Sequence, residues 1–243
     1  SYRKYPAIIV QPLREVGNQV LNVEKLGKSV DGRVLFKDVT FNVNKGDKIA
    51  LLSRDPLAVT NFFDIITGEI KSYNGKYEWG TTVTHAYLPQ ENSKYFSGND
   101  NLMEWLRQYV PPHVTDVDEP FLRGFLGKML FSGDDVMKKT NVLSGGEKVR
   151  CMISRMMLQN PNVILLDQPT NHLDLESIQS FNEQCTDYKG IVLLTSHDHT
   201  FMQTVANRVI EITPNGIIDR LMSFDEYLED ERVKLLKDEM YKQ

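Results

Sequence analysis

Leu143-Ser-Gly-Gly-Glu-Lys-Val-Arg150 is followed at short range by Val163-Ile-Leu-Leu-Asp-Gln-Pro-Thr-Asn-His-Leu-Asp174. The first string sets Ser144 and two glycines ahead of an amphipathic run, Val149, Met152, Ile153, Met156 and Met157, that predicts a helix. Free backbone N–H groups and the positive end of the dipole at such a helix start can hold a phosphate. The second string reads as an apolar strand ending on Asp167, and a carboxylate fixed there is placed to hold magnesium and its waters beside bound phosphates. Each half also has a plainer reading. Ser144 to Glu147 is a capping box, the VILLD run is a common kind of core strand, and Asp174 can simply cap the helix after it. Order and proximity favour the chemical reading, because a second apolar strand follows, Ile191-Val-Leu-Leu-Thr-Ser-His197, and runs into a histidine.

The chain has 243 residues, enough for one α/β domain with an inserted or appended subdomain. No apolar run approaches the ~20 residues that span a bilayer and no signal peptide precedes the first strand, so no membrane insertion is expected. A formal net charge of -5 without a long basic tract argues against broad electrostatic attraction to nucleic acid. Cys151 and Cys185 lack metal-ligand spacing and read as buried free thiols in a reducing compartment.

Ser1 to Gln19 is polar, contains Pro6 and Pro12 and shows no sustained period, so it reads as a linker or arm. Strands are expected at Val20 to Leu26 and Val34 to Val43, and Lys45-Gly-Asp47 turns the chain into Lys48 to Leu52, an antiparallel entry into a central strand. A helix around Ala58 to Thr67, a turn near Tyr73 to Gly75, and strands near Lys76 to Trp79 and Val83 to Leu88 follow. From about Asn99 to Asn160 the period becomes mostly helical, with Phe121, Leu122, Phe125, Leu126, Met129 and Leu130 at helical spacing. Arg208 to Ile212 and Ile217 to Leu221 flank Asn215-Gly216, a hairpin signal. Ser223 to Glu226 repeats the capping-box pattern before a charged C-terminal helix. The sequence shows no internal repeat.

In this order the LSGGE string, the acidic strand and the strand-histidine resemble the signature, Walker B and switch motifs of ATP-binding cassette (ABC) domains. The resemblance implies an α/β, P-loop NTPase fold with a mixed core sheet, an antiparallel β subdomain and a helical subdomain inserted at about residues 91–160. Residues 1–19 would then be the arm and 20–243 the nucleotide-binding domain, with ATP and Mg2+ as ligands. Gln90, in Tyr87-Leu-Pro-Gln-Glu91, matches the Q-loop; His197 matches the switch histidine that contacts the γ-phosphate; Asp174 matches the D-loop aspartate. Thr60, Gln90 and Asp167 are the implied magnesium residues, and Gln168 and His197 the implied catalytic ones.

Three positions depart from the family pattern. The segment Ser53, Arg54, Asp55, Pro56, Leu57, Ala58, Val59 and Thr60 stands where the family carries G-x-x-G-x-G-K-S/T, and only Thr60 matches. Pro56 has no N–H to donate, and Val59 brings no charge in place of the lysine. A hydrogen bond to a charged partner is worth ~1.5–3 kcal/mol, so the lysine alone accounts for roughly ten- to a hundredfold in affinity. Arg54 is the nearby cation that could compensate. Gln168 replaces the usual glutamate and cannot accept a proton, a loss of ~10²–10⁴-fold for a general base. Val30 stands near where an aromatic often meets adenine.

Because such domains work head to tail, Leu143, Ser144, Gly145, Gly146 and Glu147 would complete a partner cassette's site, whether that cassette lies in the same full-length protein or in a second copy. The LSGGEKVR, PTNHLDLES and SHDHTF forms are similar to the ABC-F proteins, twin-cassette proteins without a transmembrane part. That similarity implies a cytoplasmic second cassette, a C-terminal fragment here, that engages the ribosome in translation control or antibiotic protection. An ATPase subunit of a membrane transporter and a regulatory module with little hydrolysis are the alternatives.

Overall fold

The computed structural model describes residues 12–243. Five runs that are apolar almost throughout form parallel strands: β3 (Lys48–Leu52), β5 (His85–Leu88), β6 (Val163–Asp167), β7 (Ile191–Thr195) and β8 (Arg208–Thr213). With β9 (Gly216–Arg220), antiparallel to β8, they make a six-stranded sheet of order β5-β6-β7-β3-β8-β9. Continuous hydrophobicity follows from burial on both faces. Alternate residues feed two cores. Ile49, Leu51, Val163, Leu165, Ile191 and Leu193 pack against helix α1 (Pro56–Ile66) and a second sheet. Ala50, Ile164, Leu166, Val192 and Leu194 join the core that contains residues of helix α4 (Gly145–Gln159). Cys151 and Cys185 are buried and free.

The second sheet is three-stranded and antiparallel, order β2-β1-β4, from β1 (Gln19–Val30), β2 (Arg33–Asn44) and β4 (Asn74–Trp79). Val39, Phe41 and Val43 point into the core and alternate with exposed Thr40 and Asn42, the period of a strand with one wet face. Between β5 and β6 the chain is helical, with α2 (Leu102–Arg107), α3 (Glu119–Lys128) and α4, besides three short 3₁₀ turns. The remaining helices are α5 (Leu175–Asp187), α6 (His199–Val205), α7 (Phe224–Glu229) and α8 (Glu231–Met240).

Several local expectations need correction. β2 does not enter the central sheet, because β3 has β7 and β8 on its two sides and offers no edge; Asn44 to Asp47 instead turns the chain between sheets. The strand expected from Val83 begins only at His85, since Thr84 spends its backbone groups on Asn162 and Val163. The hairpin loop is Pro214-Asn215, with Thr213 paired to Gly216. Pro214 fixes a negative φ there, and the left-handed turn residue is Gly216 at φ 124°. The C-terminal helix is broken in two by Asp230, extended at ψ 120°, which caps α8 by accepting from Val233 N at 2.9 Å. Of the arm, residues 1–11 lie outside the described residues. Its remainder is pinned to the domain: Leu13 N donates to Asn160 O, Gly17 N to Thr82 Oγ1, and Val16 is buried; Gln19 already belongs to β1.

Arg208 ties the two sheets together. Its guanidinium, 9% exposed, donates to Asp219 at 2.6 and 2.9 Å on β9, to Asp47 at 2.8 Å in the intersheet turn, and to Asn42 O at 2.8 Å on β2. Arg208→Met leaves two carboxylates facing each other without their cation, so we expect a loss of about 2–4 kcal/mol, discounted for the partial exposure of Asp219. Urea unfolding measures it; an unchanged midpoint would show that the tie contributes nothing.

Candidate functional site

Parallel strands that alternate with crossover helices all end at one edge, and there the chain can first afford polar groups. Leu52 of β3 leads into Ser53, Leu88 of β5 into Gln90, Asp167 of β6 into Gln168, and Thr195 of β7 into His197. These ends line one cleft of about 140 Å³, with Ser53, Pro56, Val59, Gln90, Asp167, Gln168, Thr195, Ser196 and His197 around it. Gln168 adopts the left-handed conformation at φ 52°, which turns its side chain across the gap to β7: Oε1 accepts from His197 N at 3.0 Å while its own N donates to Thr195 O at 2.9 Å. An amide so placed clamps two strand ends and can orient, but not deprotonate, a water.

Asp167 is 2% exposed and accepts from Thr60 Oγ1 at 2.7 Å. Burial pushes its carboxyl up to about 6 against an ordinary 3.8; the Thr60 hydroxyl opposes this and the Asp64 charge adds to it. Asp64 is itself raised by burial, and Tyr87 donates to it at 3.4 Å. No cation is paired with the Asp167 carboxylate among the described residues. A hydroxyl and an uncompensated carboxylate at hydrogen-bond distance, with exposed Gln90 across the cleft, are the donor types a hydrated magnesium takes beside phosphates, so Thr60, Asp167 and Gln90 fit that ion. When bound, the ion would supply positive charge to phosphate oxygens.

The segment from Ser53 to Thr60 does not fit a phosphate. Its N–H groups are already spoken for: Arg54 N donates to Tyr241 Oη at 3.0 Å, Asp55 N to Ser53 Oγ at 3.3 Å, Leu57 N to Asp55 Oδ1 at 3.1 Å, and Ala58 N to Asp55 O at 3.0 Å. Pro56 has none. Ala58 is fully buried, and Leu57 is exposed but outside the cleft, so neither side chain lines it. Arg54 does not replace the missing lysine; its guanidinium lies 4.3 Å over the Tyr241 ring.

Leu143 to Glu147 belong to a separate place and do not line the cleft. Leu143 is a core residue. Ser144 caps α4 in a reciprocal box, its Oγ accepting from Glu147 N at 3.2 Å and Glu147 Oε1 accepting from Ser144 N at 3.1 Å, while Lys138 holds the other Glu147 oxygen at 2.9 Å. A side chain on Gly145 would meet the His172 ring at 3.2 Å and one on Gly146 the His172 carbonyl at 3.0 Å. His172, left-handed at φ 68°, thus shapes the signature turn, a role the sequence reading missed because no local pattern announces that conformation. Asp174 caps α5 through Ser177 N at 2.7 Å, and its hydrogen bonds from Ser177 hold its carboxyl below the usual range.

The raised Asp167 carboxyl makes metal-free stability fall with pH. Between about 4 and 6 the folded chain keeps a proton that the unfolded chain has released, so the penalty grows through that window and persists above it. Asp167→Asn cannot ionise, and its side-chain oxygen can still accept from Thr60. In chelator we expect it to be about 1–3 kcal/mol more stable than the wild type at pH 7.5 and equal to it near pH 4. Urea titrations at both pH values check this; a variant less stable at both would refute the buried-charge account.

The model of the family described as ABC transporter matches residues 36–171, more than half of the 243-residue chain. The uncharacterized ABC transporter ATP-binding protein YkpA of Bacillus subtilis is 55% identical over 99% of this chain and 44% of its own length. ABC transporter F family member 5 of Arabidopsis thaliana is 31% identical over 92% of this chain and 32% of its own. The chain thus spans less than half of these curated relatives. A solved ABC transporter chain, from an inward-facing conformation, superposes with a TM-score of 0.69 over 91% of this chain and 90% of its own at 20% identity, a likeness of fold. With the mixed sheet, the strand-end cleft and the capped signature helix in place, the family match has its structural counterpart: the chain belongs to the ABC transporter family.

Proposed function

We propose that this chain is the second cassette of a cytoplasmic ABC-F protein, and that it serves ATP hydrolysis chiefly by completing its partner cassette's site. The observation that carries this reading is the contrast between two helix N-termini. At α1 the first-turn donors are engaged within the chain, whereas at α4 the N–H groups of Gly145 and Gly146 precede the first ladder bond, from Lys148 N to Ser144 O. Ser144, Gly145 and Gly146 are therefore the residues that would meet a γ-phosphate held elsewhere, through N–H groups, a hydroxyl and the helix dipole. His197 and Gln90 would report on that event from the cleft. Similarity to the F family member supports the ABC-F assignment, and the absence among the described residues of any helix long and apolar enough to cross a membrane agrees with it. Ribosome engagement is part of the same proposal and rests on the LSGGEKVR, PTNHLDLES and SHDHTF forms.

The test uses the twin-cassette protein. Ser144→Asp keeps a good helix cap and sets a carboxylate where the γ-phosphate would lie, so ATP turnover should fall about a hundredfold with an unchanged melting temperature. Wild-type turnover in that variant would sink the partner-site reading. Ribosome pelleting that depends on nucleotide is expected, and co-purification with a membrane permease instead would support the transporter alternative.

A further inference from the structure

The half-site at the start of α1 is more than a phosphate loop that lacks its lysine. Asp55 stands at the N-cap of α1, with φ -100° and ψ 112°, and its Oδ1 accepts from Leu57 N. Its other oxygen lies 3.1 Å from Arg33 Nη2 on β2, so one helix N-terminus and one guanidinium converge on a single internal carboxylate. A bound phosphate would draw on the same two kinds of group. The surroundings add negative charge: Asp167 and Asp64 lie below the cleft, and Arg54 is stacked on Tyr241. Tyr241 in turn donates to the buried Glu211, which also accepts from Tyr227 at 2.8 Å and pairs with Lys237 of α8 at 3.3 Å. The residue after α8 is thereby fixed to the backbone of Arg54, and the loop is held in the shape that satisfies its own donors.

We propose that the Asp55 carboxylate is a built-in anion in place of the nucleotide phosphate, and that it makes this half-site exclude nucleoside triphosphates. Asp55 is then the specificity-determining residue of the half-site, and Val59 a secondary loss. The inference rests on the family alignment of this loop but not on the partner-site role of the signature, because its test reads nucleotide binding by this chain rather than turnover by a pair.

Calorimetry with ATP and magnesium at millimolar concentration should find no saturable binding at this loop in the wild type, and none in Val59→Lys. Adding Asp55→Gly and Pro56→Gly to Val59→Lys should strengthen binding at least about tenfold over Val59→Lys alone, with inorganic tripolyphosphate competing. Saturable binding by Val59→Lys with Asp55 in place would overturn the proposal. Lysine at Val59, 3% exposed, can also damage folding. A second measurement therefore uses the wild-type chain: amide hydrogen exchange of residues 53–60 should be unchanged by ATP and magnesium, and a several-fold gain in protection there would equally overturn it.

Discussion

Burial of the parallel strands on both faces is the constraint from which the rest follows. A strand sealed on both sides accepts only apolar side chains, so chemistry is confined to the residues just past the strand ends, and parallel strands place those ends on one edge. Gln90, Gln168 and His197 meet there although they are far apart in the chain. Asp167 is the exception that shows the cost. It lies within its strand, 2% exposed, with one hydroxyl for company and a carboxyl pushed up to about 6. A fold that keeps such a group keeps it poised for a cation.

The two helix N-termini obey the same electrostatics and end in opposite states. Both present first-turn N–H groups and the positive end of a dipole, and both carry a side-chain cap. Ser144 caps with a neutral hydroxyl, and glycines follow, so the N–H groups keep room for an incoming anion. Asp55 caps with a charge, and proline follows, so one donor is missing and the rest are satisfied. Cap chemistry alone separates an open anion site from a closed one.

Much of this was legible in the sequence, for reasons tied to particular residues. VILLD and IVLLT read as core strands because uninterrupted β-branched and leucine runs fit a doubly covered sheet, and Ser144 to Glu147 read as a cap because its spacing sets both hydrogen bonds. Turn signals were coarser: Asn215-Gly216 marked the hairpin, but Pro214 shifted its loop by a residue. What the sequence did not show were contacts between distant positions. Nothing near Arg54 announces Tyr241, nothing near Gly145 announces the left-handed His172, and Arg33 gives no sign that it faces Asp55 across the fold.

Those distant contacts change what the departures in the Ser53–Thr60 loop mean. Had the loop only lost its lysine and glycines, its N–H groups would point into solvent and cost little to recruit. Instead each donor from Arg54 to Ala58 has a partner in the chain, and one of those partners, Tyr241, is shared with a glutamate that is 3% exposed. Opening the loop would strip Arg54 N of its acceptor and pull Tyr241 from Glu211, leaving a buried carboxylate with fewer donors, a penalty of about 1–3 kcal/mol or more for such a group. Any phosphate would have to repay that before gaining a contact. The loop is thus stabilised in its own shape, and asymmetry between the two half-sites of a pair would follow from the folded chain itself, before nucleotide concentration enters.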